Sequence, residues 1–527
     1  MKAAKKRGFA NTVSELSGTE LSHYRFMTAV FRFAAEIRQR SPEQNIGLLL
    51  PTTSAGAIVN MSVLSLGKTV VNLNYTASKE ALRAAVQQAN IETIYTSSQF
   101  LVKLKARGID TKDIFAGTDL VYLEEVKKEI SSLKLLMTLI SCIILPQCLL
   151  KALYLSPVKD SDTAAILFSS GSEGMPKGIE LSQQNLSINA RQVADMLNIQ
   201  EKDIILSNLP IFHAFGLLAT TIMPLCEGLP MVCHPDPTDV VNIAKAISRY
   251  KATILVGTST FFRLYNLNRK VHPAMLAPLR LVIAGAEKLR PDVRDAFALK
   301  FNKTIYEGYG ATETSPAASA NIYDLLDNTD WNIQVCHKKG SVGLPFPGTC
   351  FRIVDPNSLE ELPMGQDGLI LIGGLQVMKG YLNNDEKTQS VISTIDAIRW
   401  YHTGDKGHID AQGFISIVDR YSRFAKIGGE MISLGAVEET IRTVLANSEL
   451  EVLALSIPDS KKGEKIVLLV TEALSRKTLR DALNTAKVNP LMQPAQCILV
   501  DAIPVLGTGK TDFSAAKQLL QATLSTG

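Results

Sequence analysis

The chain has 527 residues, 46% hydrophobic and 20% charged, which excludes a disordered, collagen-like or coiled-coil polypeptide and leaves room for several domains. Lys and Arg number 55 against 51 Asp and Glu; a net charge of +4 and only 6% aromatic residues leave no electrostatic or stacking footprint for nucleic acid. Seven cysteines, at 142, 148, 226, 233, 336, 350 and 497, show no C-x-x-C spacing. The odd count argues against a disulfide framework or a zinc site and points to a reducing compartment, the cytoplasm. The opening MKAAKKRGFANTVSELSG is basic but has no apolar core, so it does not read as a secretory signal.

In chain order, residues 45–50 (NIGLLL) form an apolar run ending at Pro51 and read as a buried strand. Residues 69–73 (TVVNL) and 91–96 (IETIYT) are further strands, with a helical pattern over 78–90 between them. Residues 133–155 (LKLLMTLISCIILPQCLLKALYL) interrupt this alternation with an apolar segment. Its weakly polar run, 135–145, ends at Pro146, and Gln147 and Lys151 follow. A spanning helix needs about 20 mostly apolar residues, so a helix packed on the protein or lying at a membrane surface is expected before a true span. Strands resume at 164–169, 204–208, 231–234, 253–257 and 280–284 with helices between them, the pattern of a wound parallel sheet. After residue 340 the segments 351–355, 368–372 and 414–418 are short, β-rich and bounded by Gly, Pro, Asn and Asp, which suggests a small barrel or meander. From residue 420 a compact α+β unit is expected, with a helix over 435–445 and strands over 451–457 and 465–471. The predicted fold class is therefore α/β. A large N-terminal domain, 1–419, holds wound, mostly parallel sheets and a small β-barrel; a small α+β domain, 420–527, follows.

The richest chemistry lies in residues 169–178, SSGSEGMPKG, between an apolar strand and a helical region starting near Ser182. Small residues let backbone N–H groups turn inward as an anion nest, the Ser169, Ser170 and Ser172 hydroxyls add donors, and Lys177 adds a cation. The spacing is not G-x-x-x-x-G-K-[ST]. Residues 509–511, GKT, end like that motif, but Pro504 stands where its first glycine belongs, and a ring without an N–H is a poor start for a phosphate cradle. Residues 284–287 (AGAE) permit close approach of a flat ring. Residues 306–313 (YEGYGATE) combine an aromatic, glycines and a carboxylate able to hold Mg²⁺. Residues 401–405 (YHTGD) place a carboxylate in a turn, suited to ribose hydroxyls, and Asp419-Arg420 follows.

SSGSEGMPKG, YGATE, YHTGD, the Arg420 segment and GTGK stand in the order and spacing of the acyl-adenylate-forming superfamily, and the resemblance covers nearly the whole chain. Within it, NYTAS (74–78), FSSGSEGMPKG, FHAFGL (212–217), GTSTF (257–261), AGAEKL (284–289) and RFAKIGGEMISL (423–434) are most similar to the acyl-[acyl-carrier-protein] synthetase half of bacterial 2-acylglycerophosphoethanolamine acyltransferase. Glu173, where the superfamily usually has Thr or Ser, agrees with that subfamily. The adenylation pattern begins by about residue 20, so no N-terminal acyltransferase domain is expected. The one H-x-x-x-x-D match, His234 to Asp239, carries Pro235 and Pro237 and reads as chance.

The resemblance implies ATP and Mg²⁺ as cofactors and a two-step reaction. A fatty carboxylate attacks the α-phosphate of ATP, releasing pyrophosphate; a pantetheine thiol then displaces AMP. It assigns Ser169, Ser170, Gly171, Ser172, Gly174 and Lys177 to the phosphates, and Glu313, with Thr312 beside it, to Mg²⁺. Gly285, Ala286, Glu287 and Tyr309 frame adenine, with Gly310 in the same nucleotide-binding group. Asp405 and Arg420 take the ribose hydroxyls. Lys510 bridges carboxylate and α-phosphate during adenylation only. His213 sits at the mouth of the acyl pocket, and Ser422 is the hinge about which the C-terminal domain rotates. The acceptor this implies is acyl carrier protein, feeding lysophospholipid reacylation, in the cytoplasm or at the inner face of the cell membrane. A fatty acyl-coenzyme A synthetase is the alternative, and a non-catalytic lipid-binding scaffold is a further one.

Overall fold

A computed structural model of the chain describes all residues except 107, 110, 112–113, 170–175, 428–429, 448–449, 460–462, 506–510 and 527. The chain divides into two compact units. The first comprises Met1–Phe351, Leu371–His402 and Gly413–Ile415, and the second Arg352–Ile370, Thr403–Gln412 and Ser416–Gly527.

The first unit holds two sheets. In one, Asp119–Tyr122, Thr93–Thr96, Asn45–Leu49, Thr69–Asn72 and Thr163–Ser169 run parallel. Asn45–Leu49 and Thr69–Asn72 are almost wholly buried, which is why they read as continuous apolar runs rather than alternating ones. Two antiparallel strands the sequence did not reveal, Lys177–Ser182 and Gly380–Tyr381, complete this sheet. In the other sheet, Asn11–Glu15, Met231–Cys233, Ile205–Ser207, Ile254–Gly257, Leu281–Ala284 and Ile305–Gly310 are parallel neighbours in that order. The helix Gln183–Met196 starts where the sequence predicts. The Ser182 hydroxyl accepts from the Asn185 amide at 3.1 Å, and the Asn185 side chain accepts from the Ser182 amide at 2.8 Å, satisfying two orphan donors.

The apolar segment is two helices, Ser132–Ile144 and Gln147–Tyr154, separated at Pro146, whose ring cannot continue a helix. Cys142 and Leu150 are fully buried in a cluster with Met27, Phe31 and Met231, and the Phe31 and Tyr154 rings stack at 4.5 Å. Among the described residues no helix is long and apolar enough to cross a membrane.

The second unit has the expected α+β texture. Gly463–Val470 pairs with Val452–Asp459, Phe424–Ile427 and Gln496–Leu499, and Glu430–Ser433 adds to Phe424–Ile427. The two-residue alternation of the strands divides their side chains. Val452, Ala454, Ile466, Leu468 and Val470 pack with the helices Leu434–Val444 and Arg476–Thr485. Leu453, Leu455, Val467 and Leu469 pack under Phe513–Thr526. Strands Gly368–Gly373 and Ile415–Arg420 stand where the β-rich texture predicts them.

Candidate active site

Four sequence-predicted motifs of the first unit lie at or just beyond strand ends, where open parallel sheets bind ligands. Ser169 closes Thr163–Ser169 and pairs directly with Lys177, the first residue of the returning strand, so pairing fixes both ends of the Ser/Gly loop. Ser170, Gly171, Ser172, Glu173 and Gly174, between them, lie outside the described residues.

Gly285, Ala286 and Glu287 follow the parallel strand Leu281–Ala284. A Cβ at Gly285 would sit 3.1 Å from the Phe215 ring, so the glycine lets the FHAFGL segment close against this turn. Ala286 takes a positive φ of 73°. The Glu287 carboxylate accepts from the Thr260 amide at 2.5 Å, at the N-terminal turn of the helix Ser259–Leu267, where a negative charge meets unpaired N–H groups. Three motifs far apart in sequence, FHAFGL, GTSTF and AGAEKL, thus meet. His213 precedes the short helix Ala214–Leu217, its ring tilted against Phe212 at 5.8 Å.

Tyr309 and Gly310 end the strand Ile305–Gly310, and Thr312 and Glu313 lie in the one-turn helix Thr312–Thr314 that follows. Thr314 holds this turn by accepting from the Ala311 amide at 3.0 Å. The turn is fastened to residues 376–381. The Ser315 hydroxyl donates to the Gln376 carbonyl and the Met378 amide to the Glu313 carbonyl, each at 2.8 Å. The Tyr381 hydroxyl donates to Glu313 Oε1 at 2.9 Å. Tyr381 also pairs with Ile179, two residues after Lys177. One tyrosine therefore ties the loop-bearing hairpin to the carboxylate. Burial, and then the adjacent Glu313 charge, push the Tyr381 phenol well above its ordinary pKa and keep it a donor. Glu307 is half-buried. Burial raises its carboxyl pKa, and it accepts from the Leu289 amide at 3.0 Å.

In the second unit the two ribose candidates touch. Arg420 Nε donates to Asp405 Oδ1 at 3.2 Å, and Asp405 is 6% exposed. Ser422 lies in the short turn Tyr421–Arg423. On either side of it, Asp419 accepts from the Ser433 hydroxyl at 2.6 Å and the Gly435 amide at 3.0 Å, and Arg423 donates to buried Glu438 at 2.6 Å. Lys510 lies outside the described residues; Val505 and Thr511, on either side of 506–510, form an antiparallel bridge.

The AMP-binding enzyme family model matches residues 2–382. The chain belongs to that family. Among curated relatives, the "Probable 4-coumarate--CoA ligase 2" of Dictyostelium discoideum is 31% identical over 355 residues, 66% of this chain and 62% of that protein. The match thus spans less than two thirds of that relative's own length. The "Long-chain-fatty-acid--CoA ligase" of Bacillus subtilis is 26% identical over 528 residues, 95% of this chain and 90% of that protein. Solved structures share the fold. MatB from Rhodopseudomonas palustris bound to ATP aligns with a TM-score of 0.79 at 22% identity, over 98% of this chain and 96% of that one. The O-succinylbenzoate coenzyme A synthetase of Bacillus subtilis, in complex with ATP and magnesium ion, aligns with a TM-score of 0.76 at 21% identity, over 97% of each chain.

The AMP-binding enzyme family and its α/β fold are therefore as the sequence implies. Both curated relatives bear the names of acid–thiol ligases that use coenzyme A, and neither name mentions acyl carrier protein.

Proposed function

We propose that the chain is an ATP-dependent fatty acid–thiol ligase that forms an acyl-adenylate and then an acyl-coenzyme A thioester. The observation that carries this reading is the family match over residues 2–382, a span that includes the Ser169–Lys177 hairpin and the Tyr381–Glu313 contact. Coenzyme A is favoured over acyl carrier protein as acceptor because a long-chain ligase aligned over 95% of the chain carries that acceptor in its name.

In this reading Ser169 and Lys177 hold the β- and γ-phosphates with the loop between them. Charge spreads over phosphate oxygens during the first step, so positioning and neutralisation carry the rate. Gly285, Ala286 and Tyr309 frame adenine, Asp405 and Arg420 take the ribose, and His213 stands at the acyl pocket with Phe215 behind the turn. Magnesium fits the donor set. Glu313 offers one carboxylate, oriented by the Tyr381 hydroxyl, in the same short turn as Thr312. Mg²⁺ is usually held by one or two carboxylates plus substrate phosphates rather than by an all-protein cage. When bound, it neutralises phosphate charge. The part of Tyr381 is to keep Glu313 aimed.

Tyr381→Phe keeps the ring and removes the donor. Hydrogen bonds to charged groups contribute roughly 1.5–3 kcal/mol, so pyrophosphate release should fall about tenfold, with a raised magnesium requirement and a melting temperature within a few degrees of wild type. An unchanged magnesium requirement would remove Tyr381 from this role.

The function is tested by incubating the protein with ATP, magnesium and palmitate, with coenzyme A or acyl carrier protein as acceptor. Acyl-coenzyme A together with AMP and pyrophosphate is expected. Thioester on acyl carrier protein alone would restore the acceptor that the sequence motifs resemble. No pyrophosphate with any fatty acid would overturn the ligase reading and leave the lipid-binding scaffold.

A further inference from the structure

A helix packed on a globular protein normally turns polar residues to water. Ser132–Ile144 does not. Its buried face carries Thr138 and Cys142, with Leu139 and Ile143 partly covered. The opposite stripe is Leu133, Leu136, Met137, Ile140 and Ile144, at helical spacing of three and four, and these side chains are 67, 52, 61, 45 and 71% exposed. Leu149 and Leu153 of the following helix extend the surface, at 49 and 59% exposed. Seven large apolar side chains on two successive helices face outward together, a concentration that marks an interaction surface in a folded protein.

Charge decides the occupant. From residue 130 to 159 the sequence contains no Asp or Glu and three lysines, Lys134, Lys151 and Lys159, all exposed. Lys5, from the basic helix Lys2–Arg7, donates to the Ile143 carbonyl at 3.0 Å, placing a further cationic element against the end of the apolar helix. A second copy docked by two-fold symmetry would set this basic surface against itself. An anionic bilayer offers an apolar interior beneath a negative headgroup layer, which matches an apolar stripe with a lysine border. The longer helix, Ser132–Ile144, has 13 residues, about 20 Å at 1.5 Å per residue, which suits lying in the interface and falls short of crossing it.

We propose that Ser132–Tyr154 is a monotopic membrane-docking surface, with Leu133, Leu136, Met137, Ile140 and Ile144 inserted among the acyl chains of an anionic leaflet and the bordering lysines on its headgroups. The proposal stands independently of the ligase reading, because binding is measured without turnover.

The test is co-sedimentation of the full chain with phosphatidylcholine vesicles, with and without phosphatidylglycerol. The wild type should bind the anionic vesicles, and about tenfold more weakly or less without phosphatidylglycerol. The triple variant M137S/I140S/I144S replaces only outward-facing side chains. It should lose at least about tenfold in partitioning with its melting temperature kept. K134E/K151E should lose the dependence on phosphatidylglycerol. Should the triple variant fail to fold, Ile144→Ser alone, at the most exposed position, serves, with a severalfold loss expected. Equal sedimentation of wild type and the serine variants, or no binding of the wild type to either vesicle, would overturn the proposal. So would a wild-type dimer in lipid-free buffer that the serine variant converts to monomer, since the occupant would then be a second copy.

Discussion

Gly310→Ala is expected to lower pyrophosphate release by two orders of magnitude or more and to destabilise the first unit by about 3 kcal/mol. A Cβ at this position would stand 1.9 Å from the Pro316 carbonyl oxygen and 3.1 Å from the Ala317 Cα. Both obstacles are backbone, so no rotamer change relieves them. Gly310 pairs with Ala317 across a register shift, so strand Ile305–Gly310 and strand Ala317–Ala320 would have to separate where the Thr312–Thr314 turn joins them. That turn carries Glu313, whose carbonyl and carboxylate are held by Met378 and Tyr381. A displacement of about 1 Å at a reacting site can cost about 10²-fold in rate. Gly18→Ala supplies the comparison. Its φ is +103° but nothing stands within 4 Å of the added Cβ, so only backbone strain of roughly 1 kcal/mol and no loss of activity are expected. Thermal melting and pyrophosphate release, measured on both variants, separate close packing from backbone conformation. A Gly310→Ala protein that melts and turns over like wild type would show that the two strands part without consequence.

The wound sheets were legible in the sequence because their strands are buried on both faces and so appear as runs such as NIGLLL and TVVNL, set between helical patterns. Strands that bear on the site were not, Ile305–Gly310 and Lys177–Ser182 among them. Ile305–Gly310 reads IYEGYG, with two glycines and a glutamate, and its residues are only half-buried beyond Ile305, so neither alternation nor an apolar run announces it. It joins the sheet through pairing of Ile305 with Val282 and of Glu307 with Ala284. Lys177–Ser182 is held by its antiparallel return on Thr163–Ser169 rather than by its own composition. The candidate site divides in the same way. Each motif's chemistry is local and can be read from its residue types, as with the serines and lysine around the proposed phosphate loop. What fixes those residues is not local. Tyr381 reaches Glu313 across 68 positions, the Thr260 amide binds Glu287 across 27, and Phe215 covers Gly285 from a separate helix. No spacing rule connects such pairs, because the topology of two sheets brings them together. Asp405 and Arg420 illustrate the intermediate case: the sequence marks both as candidate ribose ligands, but their own contact at 3.2 Å, across 15 positions, appears only in the fold.

Replacing Lys510 should have an effect that no packing change imitates. In the proposed reaction negative charge builds on the α-phosphate as the fatty carboxylate attacks, and a cation placed there stabilises the transition state more than the bound substrates. Removing one such charge from a preorganised site typically costs about 10²–10³-fold in rate, roughly 3–4 kcal/mol. Lys510→Ala should therefore lose acyl-adenylate formation by about that factor. Thioester formation from supplied acyl-adenylate has no developing phosphate charge of the same kind and should stay within about twofold of wild type. Lys517→Ala, which removes an exposed lysine from the helix Phe513–Thr526, should leave both half-reactions unchanged and so excludes an effect of net charge. Measuring the two half-reactions separately decides the matter. A parallel fall in both would make Lys510 a general structural or binding residue, and full adenylation without it would transfer the role to another cation, with Lys177 of the phosphate hairpin the first candidate.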